Sequence, residues 1–209
     1  MSGSERIPKD EMLVASTWLV FAVASVWATR WDSYYIEREL LVCQLSGYMT
    51  LGFLAVSLLS TPVVRILGWC GVAVEPAFTA RWSRNTGIAS GLAAILHALL
   101  SITVYLDNHW MLTLTMPYLR SGLLGLGVFL LLLLASIKPL AKRVGWRVWA
   151  PLYRLSFVAA LFALHHLLYA PFASRSWTLI LYGIGAGLSL IRLIPKRSTP
   201  RMAETVSRS

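Results

Sequence analysis

The chain has 209 residues, of which 57% are hydrophobic and 13% charged, whereas a soluble domain carries about 25% charged residues. With a mean hydropathy of +0.65, this composition excludes a soluble globular enzyme, a disordered chain and a nucleic-acid-binding domain, and points to an integral membrane protein. The net charge of +10 then reports membrane topology and not a nucleic-acid partner.

At about 20 apolar residues per crossing, the length accommodates roughly six helices joined by short loops. No soluble domain of about 50 residues fits beside them, so a nucleotide- or flavin-binding module has to come from another chain. The apolar segments fall at 12–29, 40–64, 86–106, 118–137, 149–170 and 177–194. Pro62 lies near the end of the second, and Arg120 alone interrupts the fourth. All are predicted as helices, because a spanning segment must satisfy its own backbone hydrogen bonds in lipid. Runs such as LGVFLLLLLASI lack the alternation a barrel strand needs. The expected fold is an all-α six-transmembrane-helix bundle over residues 12–194, with a polar tail at 1–11 and a tail at 195–209 expected to be disordered. The first run is followed at once by Arg30 and Trp31 with no small-residue cleavage site, so it is read as a retained helix and not a cleaved signal.

Lys and Arg divide unevenly between the two sides. Arg6 and Lys9, then Arg65, Arg81 and Arg84, then Lys138, Lys142, Arg143 and Arg147 fall on one side. Arg154 and the C-terminal Arg192, Lys196, Arg197, Arg201 and Arg208 join them there. Only Arg30, Arg38, Arg120 and Arg175 fall on the other, together with Asp32, Glu37, Glu39 and Asp107. Positive loops stay in the cytoplasm, so both termini are expected inside. Cys43 and Cys70 then lie toward opposite faces and are not expected to pair. Most tryptophans, among them Trp69, Trp110 and Trp177, sit near segment ends, as aromatic belts do.

Ionisable groups within lipid are costly and mark function. Few remain once flanking charges are set aside: His97 in the third segment, His165 and His166 in the fifth, and Arg154 near the inner end of the fifth. His109 falls in an outer loop beside Asp107. No Asp or Glu lies at membrane depth, which weighs against a proton- or cation-coupled carrier and against a carboxylate di-metal site. His97 lies 13 residues after Arg84 and 10 before Asp107; His166 lies 12 after Arg154 and 9 before Arg175. On two helices running the same way, the two imidazoles differ in depth by about 1.5 Å. Both fall in the outer half. Two neutral imidazoles at one depth can hold a haem edge-on, one nitrogen from each side. A zinc site needs about three or four protein ligands, and no third is evident. His165 and His166 point about 100° apart, so only one of them can serve one iron. Gly87, Ser90, Gly91, Ala93 and Ala94 precede His97 and allow a flat macrocycle or another helix to come close. Gly183 and Gly187 form a similar small pair, read as helix packing.

The chain resembles the ferric-reductase-like transmembrane domain family, and within it the haem-binding membrane subunits of periplasmic methionine-sulfoxide reductase systems, from about residue 40 to 194. LLSTPVVRILG resembles the end of that family's second helix, and RNTGI followed by ILHALL its third, with a ligand histidine. PYLRSGLLGLGVFLLLLLASI resembles the fourth and WRVWAPLYRLSFVAALFALHHLLY the fifth. The family's fifth helix carries Leu-His-Arg-Leu and then a second histidine. Here Tyr153 stands at the first of these. His166, 13 residues later, fits the second; His165 fits if the spacing is one shorter.

The resemblance implies one b-type haem near the outer face, ligated by His97 and His166, with His165 as the alternative to His166. A second, inner haem is not supported. It also implies electron transfer across the bacterial inner membrane from a cytoplasmic flavin-dependent reductase to a soluble periplasmic oxidoreductase that repairs oxidised methionine. A flavin at the inner face is a further expectation, its phosphate held by Arg84 and Arg154, with Arg81 and Arg147 near; Trp82, Trp149 and Tyr153 could stack on its ring. The competing expectations are a stand-alone haem-dependent ferric or metal-ion reductase and a cofactor-free membrane scaffold.

Overall fold

A computed structural model of the chain describes residues 38–72, 74–137, 143, 146–171 and 173–191. The regular structure in these residues is helical throughout. In chain order the elements are α1 (Arg38–Trp69), α2 (Pro76–Leu100), a π-helical turn (Ser101–Tyr105), the short α3 (Leu112–Thr115), α4 (Pro117–Ser136), α5 (Trp146–Tyr169) and α6 (Arg175–Leu190). The segment predicted at 12–29 and both tails lie outside the described residues.

Four stretches are long and apolar enough to cross a membrane: Leu40–Trp69, Ala77–Tyr105, Pro117–Ser136 and Leu152–Tyr169. They carry large exposed apolar side chains on their outer faces, including Leu99, Leu131 and Leu161. The chain is a multi-pass membrane protein. α6 has 16 residues, about 24 Å of helix, which is short of the hydrocarbon thickness of about 30 Å.

The element bounds differ from the hydropathy bounds for local reasons. α1 continues past residue 64 because Pro62 is buried within the bundle, where a proline's missing N–H is tolerated if neighbouring helices support the turn. Past its end at Trp69 the chain turns through Gly71, whose φ of +82° suits a residue without Cβ. There the Val72 N–H reaches back to the Leu67 carbonyl at 2.9 Å, closing the helix end. α2 starts at Pro76, 10 residues before the expected position; proline is preorganised for a first helical turn. Its polar first turns are not a loop, because Ser83 and Thr86 are buried. α4 likewise starts on proline, Pro117. Between α2 and α4 the chain turns through Asp107 and Asn108, with φ of 45° and 64°, in the left-handed region these short polar residues tolerate.

α1 packs along α2, and α4 along α5, and the α2–α4 contact joins the two pairs. Met49 and Phe53 of α1 meet Ala89 and Ala93 of α2. Leu54, Ala94, Phe129 and Ala159 bring α1, α2, α4 and α5 together at the centre. Lipid is as apolar as a leucine side chain, so close packing and interhelical hydrogen bonds must hold such a bundle. Both are present. Ser57 Oγ donates to the Ser83 carbonyl at 2.8 Å, and Ser83 Oγ donates to the Ser57 carbonyl at 2.9 Å. Ser90 Oγ, fully buried, donates to the Thr50 carbonyl at 2.8 Å. A Cβ on Gly91 would lie 2.7 Å from Leu133, so the absence of a side chain here is what lets this leucine of α4 seat on α2.

Candidate functional site

α2 and α5 each bring one histidine to the same apolar cavity of about 230 Å³ between α1, α2, α4 and α5. The ring centroids of His97 and His166 lie 6.2 Å apart, with the planes at 79°. Two metal–nitrogen bonds of about 2 Å, with about 1.1 Å from each nitrogen to its ring centre, separate the centroids of a bis-imidazole pair by about 6 Å. The spacing therefore suits one metal ion held between the two rings.

Hydrogen bonds orient both rings and set their tautomers. His97 Nδ1 donates to the Cys43 carbonyl at 2.9 Å, and Ser46 Oγ lies 3.1 Å from the same nitrogen. His166 Nδ1 donates to the Tyr118 carbonyl at 2.8 Å. A carbonyl oxygen can only accept, so Nδ1 carries the proton in each ring and Nε2 keeps its lone pair. An imidazole tethered in this way is prepared as a metal ligand.

The two tethers are built alike. Ser46 Oγ donates to the Cys43 carbonyl at 2.6 Å, and Ser121 Oγ donates to the Tyr118 carbonyl at 2.7 Å. The residue after each serine is glycine. A Cβ on Gly47 would lie 3.0 Å from His97 Cε1, and a Cβ on Gly122 would lie 2.9 Å from His166 Nδ1. So α1 offers its histidine a carbonyl, a serine and a gap within one turn, and α4 does the same for the other. Sequence reasoning missed Ser46, Gly47, Ser121 and Gly122. A signal was present: Ser-Gly-x-x-x-Leu-Gly occurs at 46–52 and again at 121–127.

The small residues before His97 serve mostly helix packing. Gly91 faces Leu133 and Gly87 faces Ser57; Ala94 alone of that set lines the cavity. Gly183 and Gly187, read from the sequence as a packing pair, have no described atom within 4 Å of a Cβ built on them. Helix packing at that pair is thus not seen among the described residues.

His165 is not brought to the cavity. It is exposed, and its ring lies 4.8 Å from that of Tyr169. His109 is also exposed, its Nδ1 donating to the Leu106 carbonyl at 3.2 Å. Cys43 is buried and Cys70 exposed, and neither is in a disulfide. Among the described residues no three His, Cys, Asp or Glu side chains cluster.

Two of the arginines expected on the cytoplasmic side have structural partners that the sequence did not reveal. Arg84 Nη2 donates to the Ser136 carbonyl at 2.6 Å, and Arg65 Nη1 donates to the Ile191 carbonyl at 2.8 Å. Each guanidinium thus meets the C-terminal end of a neighbouring helix, where carbonyls lack partners and the dipole favours a cation. Arg154 is exposed on α5. Tyr153 borders a second, smaller cavity of about 40 Å³ with Ser57, Arg84, Ser136 and Ser156. A space of that size holds about two or three waters and no macrocycle.

The fold and site define a class: a multi-pass helical membrane protein with two tethered imidazoles facing each other across an apolar cavity. Two curated proteins are similar to the chain. One is the protein-methionine-sulfoxide reductase heme-binding subunit MsrQ of Deinococcus radiodurans, 29% identical over 155 residues that cover 71% of each chain. The other is the subunit of the same name from Rhodospirillum rubrum, 28% identical over 153 residues, 71% of this chain and 70% of the relative. No family model matches the chain.

Proposed function

We propose that the chain is an MsrQ-like membrane subunit that binds one b-type haem between His97 and His166. It would pass electrons from a cytoplasmic reductase across the inner membrane to a soluble acceptor on the outer face, a periplasmic methionine-sulfoxide reductase. The observation that carries this reading is the facing pair itself: ring centroids 6.2 Å apart, with both Nδ1 atoms committed to backbone carbonyls. The similarity to the two heme-binding subunits supports it.

When bound, a haem supplies reversible one-electron chemistry, its potential set by ligands, burial and neighbouring hydrogen bonds. The chain's own residues do the rest. Cys43, Ser46 and Tyr118 hold the imidazoles in the tautomer that offers Nε2 inward. Gly47 and Gly122 leave the rings room. Phe129, Ala94 and Ala159 close the inner side of the site and keep water from it. The charge asymmetry supports six spans with both termini in the cytoplasm, which sets the site in the outer half of the membrane.

The test is the visible spectrum of the detergent-purified protein, oxidised and then reduced with dithionite. Sharp reduced α and β bands with a shifted Soret band are expected of a low-spin bis-histidine haem. A colourless protein that takes up no added haemin overturns the reading and leaves a helical scaffold.

A further inference from the structure

The two faces of the histidine cavity differ in chemistry. Toward the centre of the bundle the walls are Leu126, Phe129, Ala94 and Ala159. Several polar groups along the cavity are already engaged. Ser121 and Thr50 donate to carbonyls of their own helices. Ser101 pairs with Cys43 at 3.3 Å, and Thr113 donates to the Trp110 carbonyl.

Tyr118 is different. Its hydroxyl lies 3.0 Å from the Tyr105 hydroxyl, where the π-helical turn faces the start of α4. Its ring lies against that of His166, with centroids 5.9 Å apart. It therefore combines a phenolic hydroxyl with direct contact to one of the paired imidazoles. When Tyr105 donates to it, the Tyr118 proton is left to donate in turn.

A tetrapyrrole between the two histidines carries ionised carboxylates along one edge. Burying a carboxylate without donors is costly, so that edge must face hydroxyls and not the Phe129 side. Resting on the haem reading above, we infer that the Tyr118 hydroxyl, backed by Tyr105, donates a hydrogen bond to a peripheral carboxylate of the macrocycle. The pair thereby fixes the rotation of the ring in its cavity. Tyr118 then has two separate tasks: its backbone carbonyl tethers His166, and its side chain reads the acidic edge of the ligand.

The Tyr118→Phe variant separates these tasks, because it keeps the carbonyl and the aromatic ring and removes only the hydroxyl. The experiment titrates the purified full-length chain, stripped of any haem, with haemin and with haemin dimethyl ester, whose carboxylates are methylated, following the Soret band. The wild type is expected to bind haemin roughly tenfold more tightly than the diester, as a hydrogen bond to a charged group warrants. Tyr118→Phe is expected to lose most of that preference, and Tyr105→Phe part of it. The comparison across both ligands and both side chains cancels general effects of esterification. A wild type that binds both ligands equally overturns the inference, as does a Tyr118→Phe variant that keeps the full preference. A wild type that binds neither ligand overturns the haem reading itself, an outcome distinct from the other two.

Discussion

His97 and His166 come from different helix pairs, yet their rings stand 6.2 Å apart and nearly perpendicular. Neither ring is placed by its own helix alone. His97 is tethered by α1 and His166 by α4, so each imidazole is oriented by the helix packed beside its own. A change on α1 or α4 should therefore disturb the site as surely as a change at a histidine.

The histidine assignment makes a direct prediction. His97→Ala and His166→Ala should each abolish the low-spin spectrum, whereas His165→Ala should keep it, since His165 lies against Tyr169 away from the cavity. Reduced-minus-oxidised difference spectra of the three purified variants are the check. Perpendicular imidazole planes further predict a strongly anisotropic low-spin electron paramagnetic resonance signal in the oxidised protein. Loss of the spectrum in His165→Ala with retention in His166→Ala would reverse the assignment.

Gly47→Ala and Gly122→Ala should each displace an imidazole, because the new methyl would sit 3.0 Å or less from a ring atom. Overpacking of this kind costs about 1–3 kcal/mol. Here much of that penalty should appear as faster haem loss, measured by transfer to a haem-scavenging apoglobin. Gly52→Ala on the same α1 helix meets no described atom within 4 Å and is the matched control.

Gly91→Ala should lower stability without touching the haem spectrum. Its Cβ would meet Leu133 at 2.7 Å, forcing α2 from α4 or bending the leucine off its rotamer, at a cost of about 1–3 kcal/mol. Thermal unfolding in detergent, followed by far-ultraviolet circular dichroism, should shift downward for Gly91→Ala. Gly183→Ala and Gly187→Ala should leave it nearly unchanged.

The serine links between α1 and α2 should matter modestly and separately from the site. Ser90→Ala removes the bond to the Thr50 carbonyl, and interhelical bonds in membranes contribute about 0.6 kcal/mol on average. Ser57→Ala and Ser83→Ala each remove one donor to a backbone carbonyl that the other substitution leaves in place. The pair should show a coupling of similar size in a double-mutant cycle, because the two hydroxyls also lie 3.4 Å apart. A coupling of zero would mean that the two bonds form and break independently.

Much of the site was legible before any coordinates. Two histidines at equal depth, on helices running the same way, could be singled out because ionisable groups are scarce in lipid and their depth follows from helix rise. That only one of His165 and His166 can face a given target was legible from helix geometry, whereas the preference for His166 came from the spacing of the family it resembles. In the structure His166 lines the cavity and His165 does not. The start of α2 was not. Ser83 falls before the third apolar segment and reads as a loop residue by hydropathy, yet it is buried against the bundle. Hydropathy reports the lipid-facing surface, whereas a buried serine is specified by the carbonyl of another helix. The partner of Arg84 was hidden for the same reason: its charge predicts a side of the membrane, but the Ser136 carbonyl to which it donates is 52 residues away.

The sequence by itself determined that this is a membrane-spanning helical protein with a few ionisable groups in its interior, because composition and period depend on each residue's own transfer energy and on the geometry of one helix. Only the tertiary structure decided which nitrogen of each imidazole is tethered, why Gly47 and Gly122 must be glycine, and that Tyr118 joins His166 to the hydroxyl of Tyr105. Those are relationships between helices, and they exist only once α1 lies on α2, α4 lies on α5, and the two pairs close around the cavity between them.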